Sequence, residues 1–379
     1  MTKLSLPPLS RYIHVPWCVR KCPYCDFNSH ERDDIPEAAY LQQLIADFRQ
    51  EIPLAQGRAL SSIFIGGGTP SLMSGKFYQE LFTVMRGEID FAPDIEITLE
   101  ANPGTVEQAR FDGYRAAGIN RLSIGVQSFN PKHLQKLGRI HSSDEAVKAV
   151  AAARQAGFDN FNLDLMHGLP EQSQREARDD LLQAIELKPT HLSWYELTIE
   201  PNTAFYRAPP NQPDGDVMAD IEEEGFALLA SHGYQRYEVS AFARAGFQCR
   251  HNRNYWEFGD YLAIGAGAHG KITLPERIIR YQKTRLPEHY LACQIEEGFR
   301  KNERVLEAED LPLEFFINAL RLVEGVPIEM FSSRTGLNIE TLEDALTTLR
   351  RRKLLLDNSH QLACSATGMR FLNQVLEFF

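Results

Sequence analysis

The chain has 379 residues, 43% of them hydrophobic and 24% charged, with a formal net charge of −11. That length exceeds what one core comfortably holds, so a large domain with smaller modules is expected. The acidic balance argues against a broad nucleic-acid or anionic-membrane footprint, and the absence of a signal-like or membrane-spanning apolar run predicts a cytoplasmic chain without a membrane span.

From Arg11 to about Leu197, short β-branched runs alternate with helical-period segments, the pattern of a parallel α/β sheet built from βα units. Strands are predicted over Arg11–Val15, Ser61–Ile65, Asp94–Ala101, Arg121–Val126, Phe158–Met166 and His191–Leu197. Helices are predicted over Tyr40–Gln50, Ser74–Met85, Val106–Ala117, Asp144–Ala156 and Glu176–Leu187, where apolar residues recur three and four apart. Six such repeats predict a partial (β/α)6 barrel, with its site at the carboxyl ends of the strands. Asn202–Asp216 reads as a loop or lid, Val217–Gly233 as a helix and Tyr237–Ala243 as a strand.

The domain boundaries expected are a core over 1–240, a linking accessory segment over 241–304, and a module over 305–379. In that module Leu311–Leu322, Pro327–Thr335 and Ile339–Arg352 read as helices. A small hairpin follows near Leu354–Ala363, and a last helix over Thr367–Phe379. This order resembles a winged-helix unit. Its basic run Arg350–Lys353 is short and reads as a solvated helix end, so the module is expected to cover or dock rather than to read DNA.

Half of the six cysteines crowd into one loop after the first strand: Cys18, Cys22 and Cys25, spaced C-x3-C-x2-C. A [4Fe–4S] cube needs four ligands and usually takes four thiolates. Three in a compact run, with no fourth before Cys249, imply that a non-protein group completes the cluster. A zinc site would pair such a run with a second cysteine or histidine pair, which does not follow here. Three structural thiols on a charged, Pro-containing loop would be an odd way to build a core. Cys249, Cys293 and Cys364 read as packing residues in a reducing compartment.

The later strand ends carry further candidates. Gly66-Gly67-Gly68-Thr69-Pro70 follows the second strand, where glycines admit a ligand close to the backbone. Glu100 closes the third strand, and as a carboxylate it can accept two ribose hydroxyls or serve as a cap. Gln127 ends the fourth strand, and Arg139 beyond it offers a fork suited to a carboxylate. Asp164 lies inside an apolar strand, where an unpaired charge is costly. Further on, Cys249-Arg-His-Asn-Arg-Asn-Tyr-Trp256 reads from its residues alone as a packed polar turn, and Gly265–Gly270 is a second small-residue loop in which His269 is a weaker ligand candidate.

The cysteine spacing, with Tyr24 before the third cysteine, resembles the radical S-adenosylmethionine (SAM) superfamily. In that family SAM binds the open iron, and an electron from the cluster yields a 5′-deoxyadenosyl radical. Tyr12-Ile-His14, Gly-Gly-Gly-Thr-Pro, Gly125-Val-Gln127 and Asp164–Pro170 are similar to oxygen-independent coproporphyrinogen III oxidase and its relatives. Carried over by position, this resemblance implies SAM contacts from Tyr12, Tyr24, Gly67, Gly68, Thr69, Glu100, Gln127, Arg139 and Asp164. Two features depart from the oxidase: Phe27 stands where it carries a further cysteine, and only ten residues precede the first strand. Both departures, with the H-N-x-x-Y-W run of His251, Asn252, Tyr255 and Trp256, resemble the heme-chaperone subgroup, HemW. That resemblance implies heme binding at those four residues, His251 as the iron ligand, and a heme-acceptor protein as partner. Porphyrinogen decarboxylation is the alternative expectation, and a radical reaction on another substrate a third. Homodimerisation and peripheral contact with membrane proteins stay open.

Overall fold

A computed structural model describes residues 4–105 and 108–379; Val106, the expected start of the third helix, lies outside them. Twelve strands form one sheet: β1 (Leu9–Val15), β2 (Leu60–Gly67), β3 (Phe91–Ala101), β4 (Arg121–Gln127), β5 (Phe161–His167), β6 (His191–Glu196), β7 (Gln235–Glu238), β8 (Ala241–Ala243), β9 (Asp260–Ile264), β10 (His269–Thr273), β11 (Ile278–Lys283) and β12 (Arg300–Val305). Their order is β12-β11-β10-β9-β1-β2-β3-β4-β5-β6-β8-β7. The run from β9 through β1 to β6 is parallel, and the strands flanking it on either side are antiparallel. The sheet is open, as a partial barrel requires.

Helices α1 (Glu37–Glu51), α2 (Gly75–Glu88), α3 (Gln108–Ala117), α4 (Ser143–Gln155) and α5 (Gln174–Glu186) connect β1 to β6, and α6 (Gly215–Ser231) leads on to β7. Their starts have local causes. Ser142 with Glu145, and Ser173 with Glu176, form reciprocal capping boxes at α4 and α5. Along β1 the side chains alternate. Arg11 turns outward over Phe48 of α1, whereas Ser10 turns inward to Ser62, 2.7 Å away.

Several boundaries differ from expectation. Tyr237–Ala243 is a hairpin rather than one strand, because the chain turns at Val239-Ser240. The expected loop over 202–216 contains a short helix, Ala204–Arg207, capped by Thr203. The last helix is broken at Phe371, whose φ of −114° and ψ of 36° are not helical.

Residues 241–304 contribute β8 to β12, the helix α7 (Arg250–Trp256) and a short helix over Pro287–Leu291. A buried ionic network fastens β11 to α1. Lys283 on β11 donates to Asp47 Oδ1 at 2.5 Å and to Glu51 Oε1 at 2.7 Å, and all three side chains are fully buried. Tyr290 donates to Asp47 Oδ2 at 2.7 Å and Tyr281 donates to Glu51.

The C-terminal module consists of α8 (Leu311–Ala319), α9 (Ile328–Thr335) and α10 (Glu343–Arg351), with Val326–Pro327 paired to Gln361–Leu362. Phe315, Phe316 and Phe331 form its core. It docks on the sheet through Phe258 against Phe315, 5.7 Å between ring centres, and through Arg321 to Glu238 at 3.0 Å.

Lys283→Met removes the cation that the buried Asp47 and Glu51 carboxylates share, leaving Glu51 with Arg300 at 3.2 Å and Asp47 with no ion pair among the described residues. It is expected to cost about 3–5 kcal/mol of unfolding free energy, read as a lowered urea midpoint; an unchanged midpoint would contradict this role.

Candidate cluster and cofactor site

The loop leaving β1 is a closed arch, because Trp17–Cys18 pairs in parallel with His30–Glu31. Within it the Cys25 N–H donates to Cys22 O at 3.1 Å, and Lys21 Nζ donates to the carbonyls of Phe27 and Ser29. Burial pushes the Cys18 and Cys25 thiols up, opposed by hydrogen bonds from Thr69 and Ser29. Thr69 Oγ1 donates to Cys18 Sγ at 3.4 Å, and Arg139 Nη1 donates to Cys22 Sγ at 3.6 Å. Thiols that are buried yet supplied with donors fit a group that binds them as thiolates and provides the missing positive charge.

Two small-residue loops clamp this arch. On the β2 side, Gly68 N–H donates to Val15 O and Thr69 N–H to Trp17 O, both at 2.7 Å. A Cβ at Gly68 would lie 2.5 Å from Trp17 O, too close for either backbone to yield. On the β9 side, Asn28 Nδ2 donates to Ala266 O and Arg285 O, each at 2.9 Å. Gly267 has φ +82°, and a Cβ there would lie 2.2 Å from Asn28 Nδ2.

Beside the arch is a cavity of about 540 Å³, lined by Tyr12, His14, Gly67 and Glu100 and by Phe27, Tyr255, Tyr261, His269 and Arg285. Glu100 Oε2 accepts from Gly67 N–H at 3.2 Å. Burial, aided by Asp164, holds the Glu100 carboxyl up to about 8. Asp164 is not alone in the barrel interior: it accepts from Ser123 Oγ at 2.9 Å and Asn162 Nδ2 at 2.7 Å. Gln127 has φ +69°, unusual for a residue with a side chain, and accepts from Tyr195 OH at 2.8 Å. Arg139 Nη2 donates to Gly125 O at 2.7 Å. Tyr24 lies 6.3 Å from Phe205, ring centre to ring centre. The nine residues singled out for SAM thus lie on β1 to β5 or on the loops that follow them.

The H-N-x-x-Y-W residues divide. Tyr255 lines the cavity, 4.4 Å from the Tyr261 ring. His251 lies behind it, 1% exposed, stacked on Phe64, with Nδ1 against Ser62 Oγ at 3.1 Å and Nε2 against Tyr255 OH at 2.8 Å. Both ring nitrogens therefore have partners, and burial pushes the imidazole down to about 3. Asn252 is half-buried on the same helix. Trp256 lines a second cavity of about 550 Å³ together with Arg280, Arg304 and Arg321. The sequence reading passed over Asn28, Tyr261 and Arg285, and it used His14 only as part of a motif. Asn28 is the one a sequence signal could have found, since it follows the third cysteine by three residues.

Residues 12–184 match the radical SAM superfamily and residues 306–371 the HemN C-terminal domain. The heme chaperone HemW of Haemophilus influenzae is 52% identical over 99% of this chain and 98% of its own length. The heme chaperone HemW of Escherichia coli is 51% identical over 99% of each. The chain belongs to the HemW family of radical SAM proteins. Its fold is that of a solved coproporphyrinogen III oxidase, HemN of Escherichia coli, with a TM-score of 0.83 at 25% identity over 98% of this chain and 90% of that one. The family brings with it the [4Fe–4S] cluster and SAM that the cysteine arch and its donors fit. No helix among the described residues is long and apolar enough to cross a membrane.

Glu100 supplies a ligand-free test. The folded state keeps a proton on Glu100 up to about 8, whereas the unfolded chain loses it near the ordinary carboxylate value. This group therefore lowers stability as pH rises between those values, and its cost is complete above about 8. Glu100→Gln is expected to melt higher than the parent at pH 8.5 and to match it at pH 4.5; equal melting at both pH values would contradict the shift.

Proposed function

We propose that this chain is a heme chaperone. It binds heme, holds a [4Fe–4S] cluster on Cys18, Cys22 and Cys25 with SAM at the open iron, and passes the heme to an acceptor protein in the cytoplasm. The observation that carries this reading is the full-length likeness to proteins named heme chaperones, far closer than the likeness to the oxidase of the same fold.

When bound, the cluster supplies an open iron and a reducing electron. Everything else falls to the chain. Thr69 and Arg139 stabilise the Cys18 and Cys22 thiolates by donating to their sulfurs. Tyr12, Gly67 and Glu100 wall the adenosyl side, where the Glu100 carboxyl would bond to the ribose hydroxyls. Gln127, Arg139 and Asp164 close the site along the strand ends, and Tyr24 closes it from the arch. On the porphyrin side, Tyr255 and Trp256 are adjacent aromatics on one helix, one turn beyond His251 and Asn252, with Tyr255 on the wall of the cavity beside the arch and Trp256 on that of the second cavity. The C-terminal module serves as a cover or docking surface.

Decarboxylation is the competing reading, favoured by the shared fold with HemN. The test is anaerobic incubation of the cluster-loaded protein with reductant, SAM and coproporphyrinogen III, beside a titration of the same protein with heme. Heme uptake with the porphyrinogen unchanged is expected; a divinyl product would reverse the assignment.

A further inference from the structure

The barrel interior holds two carboxyl groups in unlike company. Glu100 has one hydrogen bond among the described residues, from Gly67 N–H at 3.2 Å. Asp164 accepts on both oxygens, from Asn162 Nδ2 at 2.7 Å and from Ser123 Oγ at 2.9 Å. Burial pushes both carboxyls up, but at Asp164 these donors and the charge of Arg121 pull the other way. Environments that separate two carboxyls in this manner leave one protonated and the other ionised. Here the ionised one is Asp164.

The side chains around Asp164 come from three neighbouring strands. Asn162 and Asp164 lie two apart on β5, so they share a face, and they stand opposite His191 and Ser193 on β6. Ser123 on β4 stands opposite Asn162. The amide of Asn162 could present either end to Asp164, and what decides between them lies behind it. His191 Nδ1 donates to Asn162 Oδ1 at 2.7 Å, joined by Ser193 Oγ at 3.2 Å. That leaves Nδ2 for Asp164 and for Ser123 Oγ, 2.8 Å away. The proton of His191 is itself fixed. Burial keeps the ring neutral, and its Nε2 lies 2.9 Å from Tyr237 OH, a hydroxyl that already accepts from Cys249 N–H at 3.3 Å. Tyr237 therefore donates to Nε2, and the ring proton sits on Nδ1. Asn162, His191 and Tyr237 are all buried, whereas Asp164 is half-buried.

We propose that His191 is a positioning residue of the cofactor site: by donating from Nδ1 it fixes the Asn162 amide with its N–H groups toward Asp164 and Ser123, and so holds Asp164 as an ionised carboxylate for bound SAM. This role rests on the cluster-and-SAM reading and deepens it. SAM carries a sulfonium and an ammonium, which a carboxylate in a low-dielectric interior attracts. An Asn162 turned end for end would set its oxygen against that carboxylate and favour the protonated, uncharged form.

The experiment is an anaerobic titration of the cluster-loaded full chain with SAM, followed by electron paramagnetic resonance of the reduced cluster. It compares the parent, His191→Phe, His191→Asn, His191→Gln, Asp164→Asn and the double substitution His191→Phe with Asp164→Asn. His191→Phe keeps a ring without nitrogens and should bind SAM about tenfold more weakly. Asn carries an N–H the same number of bonds from Cα as Nδ1, so His191→Asn should restore most of that affinity. Gln places its N–H where Nε2 lies, and His191→Gln should not. In the Asp164→Asn background His191→Phe should cost nothing further, because its effect passes through the carboxylate. Melting of each sample checks folding, and where His191→Phe does not fold, the Asn and Gln variants carry the same test. A folded His191→Phe chain with the parent affinity, an equal loss in both backgrounds, or equal binding by the Asn and Gln variants would overturn the positioning role alone. A parent cluster whose signal is indifferent to SAM would overturn the cofactor reading and this inference with it.

Discussion

The cysteine arch has no core of its own, and its shape depends on being clamped from both sides by backbone. β1 lies between β2 and β9 in parallel register, so three strand ends emerge together and two small-residue loops meet the arch. Val15 and Trp17 accept from the Gly66–Pro70 loop, and Asn28 reaches the carbonyl of Ala266. Side chains larger than hydrogen at Gly68 or Gly267 would hold these segments apart. A polynuclear cluster needs thiols at fixed separations, and only an externally braced loop can hold them there.

The brace has a second layer. Tyr40 of α1 donates to His14 O at 2.6 Å and accepts from Ala266 N–H at 3.1 Å, spanning the two sides of the clamp. Two and three turns further along the same helix, Asp47 and Glu51 anchor Lys283, and Asp47 also accepts from Gly265 N–H at 3.1 Å. Buried ion pairs contribute less to stability than to arrangement, and this one fixes where the outer strands sit. The site and the outer wall of its cavity therefore share one scaffold.

The six inner strands are legible in the sequence because they are buried on the helix side and read as β-branched runs, and α4 and α5 because S-x-x-E boxes mark their starts. The cysteines and the glycine loop are legible because their spacing carries the chemistry. β10 and β11 are not. Lys271, Lys283 and Arg280 make these strands look solvated, whereas Lys271 and Lys283 are buried against carboxylates. Lys283 and Asp47 are 236 residues apart, a distance over which no local pattern can pair them. The same limit applies to His251. Its motif is visible, but its partner Ser62 is 189 residues away, and only the fold shows that the ring is already occupied.

The central claim is that Cys18, Cys22 and Cys25 leave one iron of a cube open toward the cavity. Anaerobic reconstitution with iron and sulfide, followed by metal counting and electron paramagnetic resonance of the reduced protein with and without SAM, tests it most directly. About four irons per chain and a signal that shifts when SAM is added are the predicted results. A chain that retains zinc instead, or a cluster whose signal is indifferent to SAM, would contradict it.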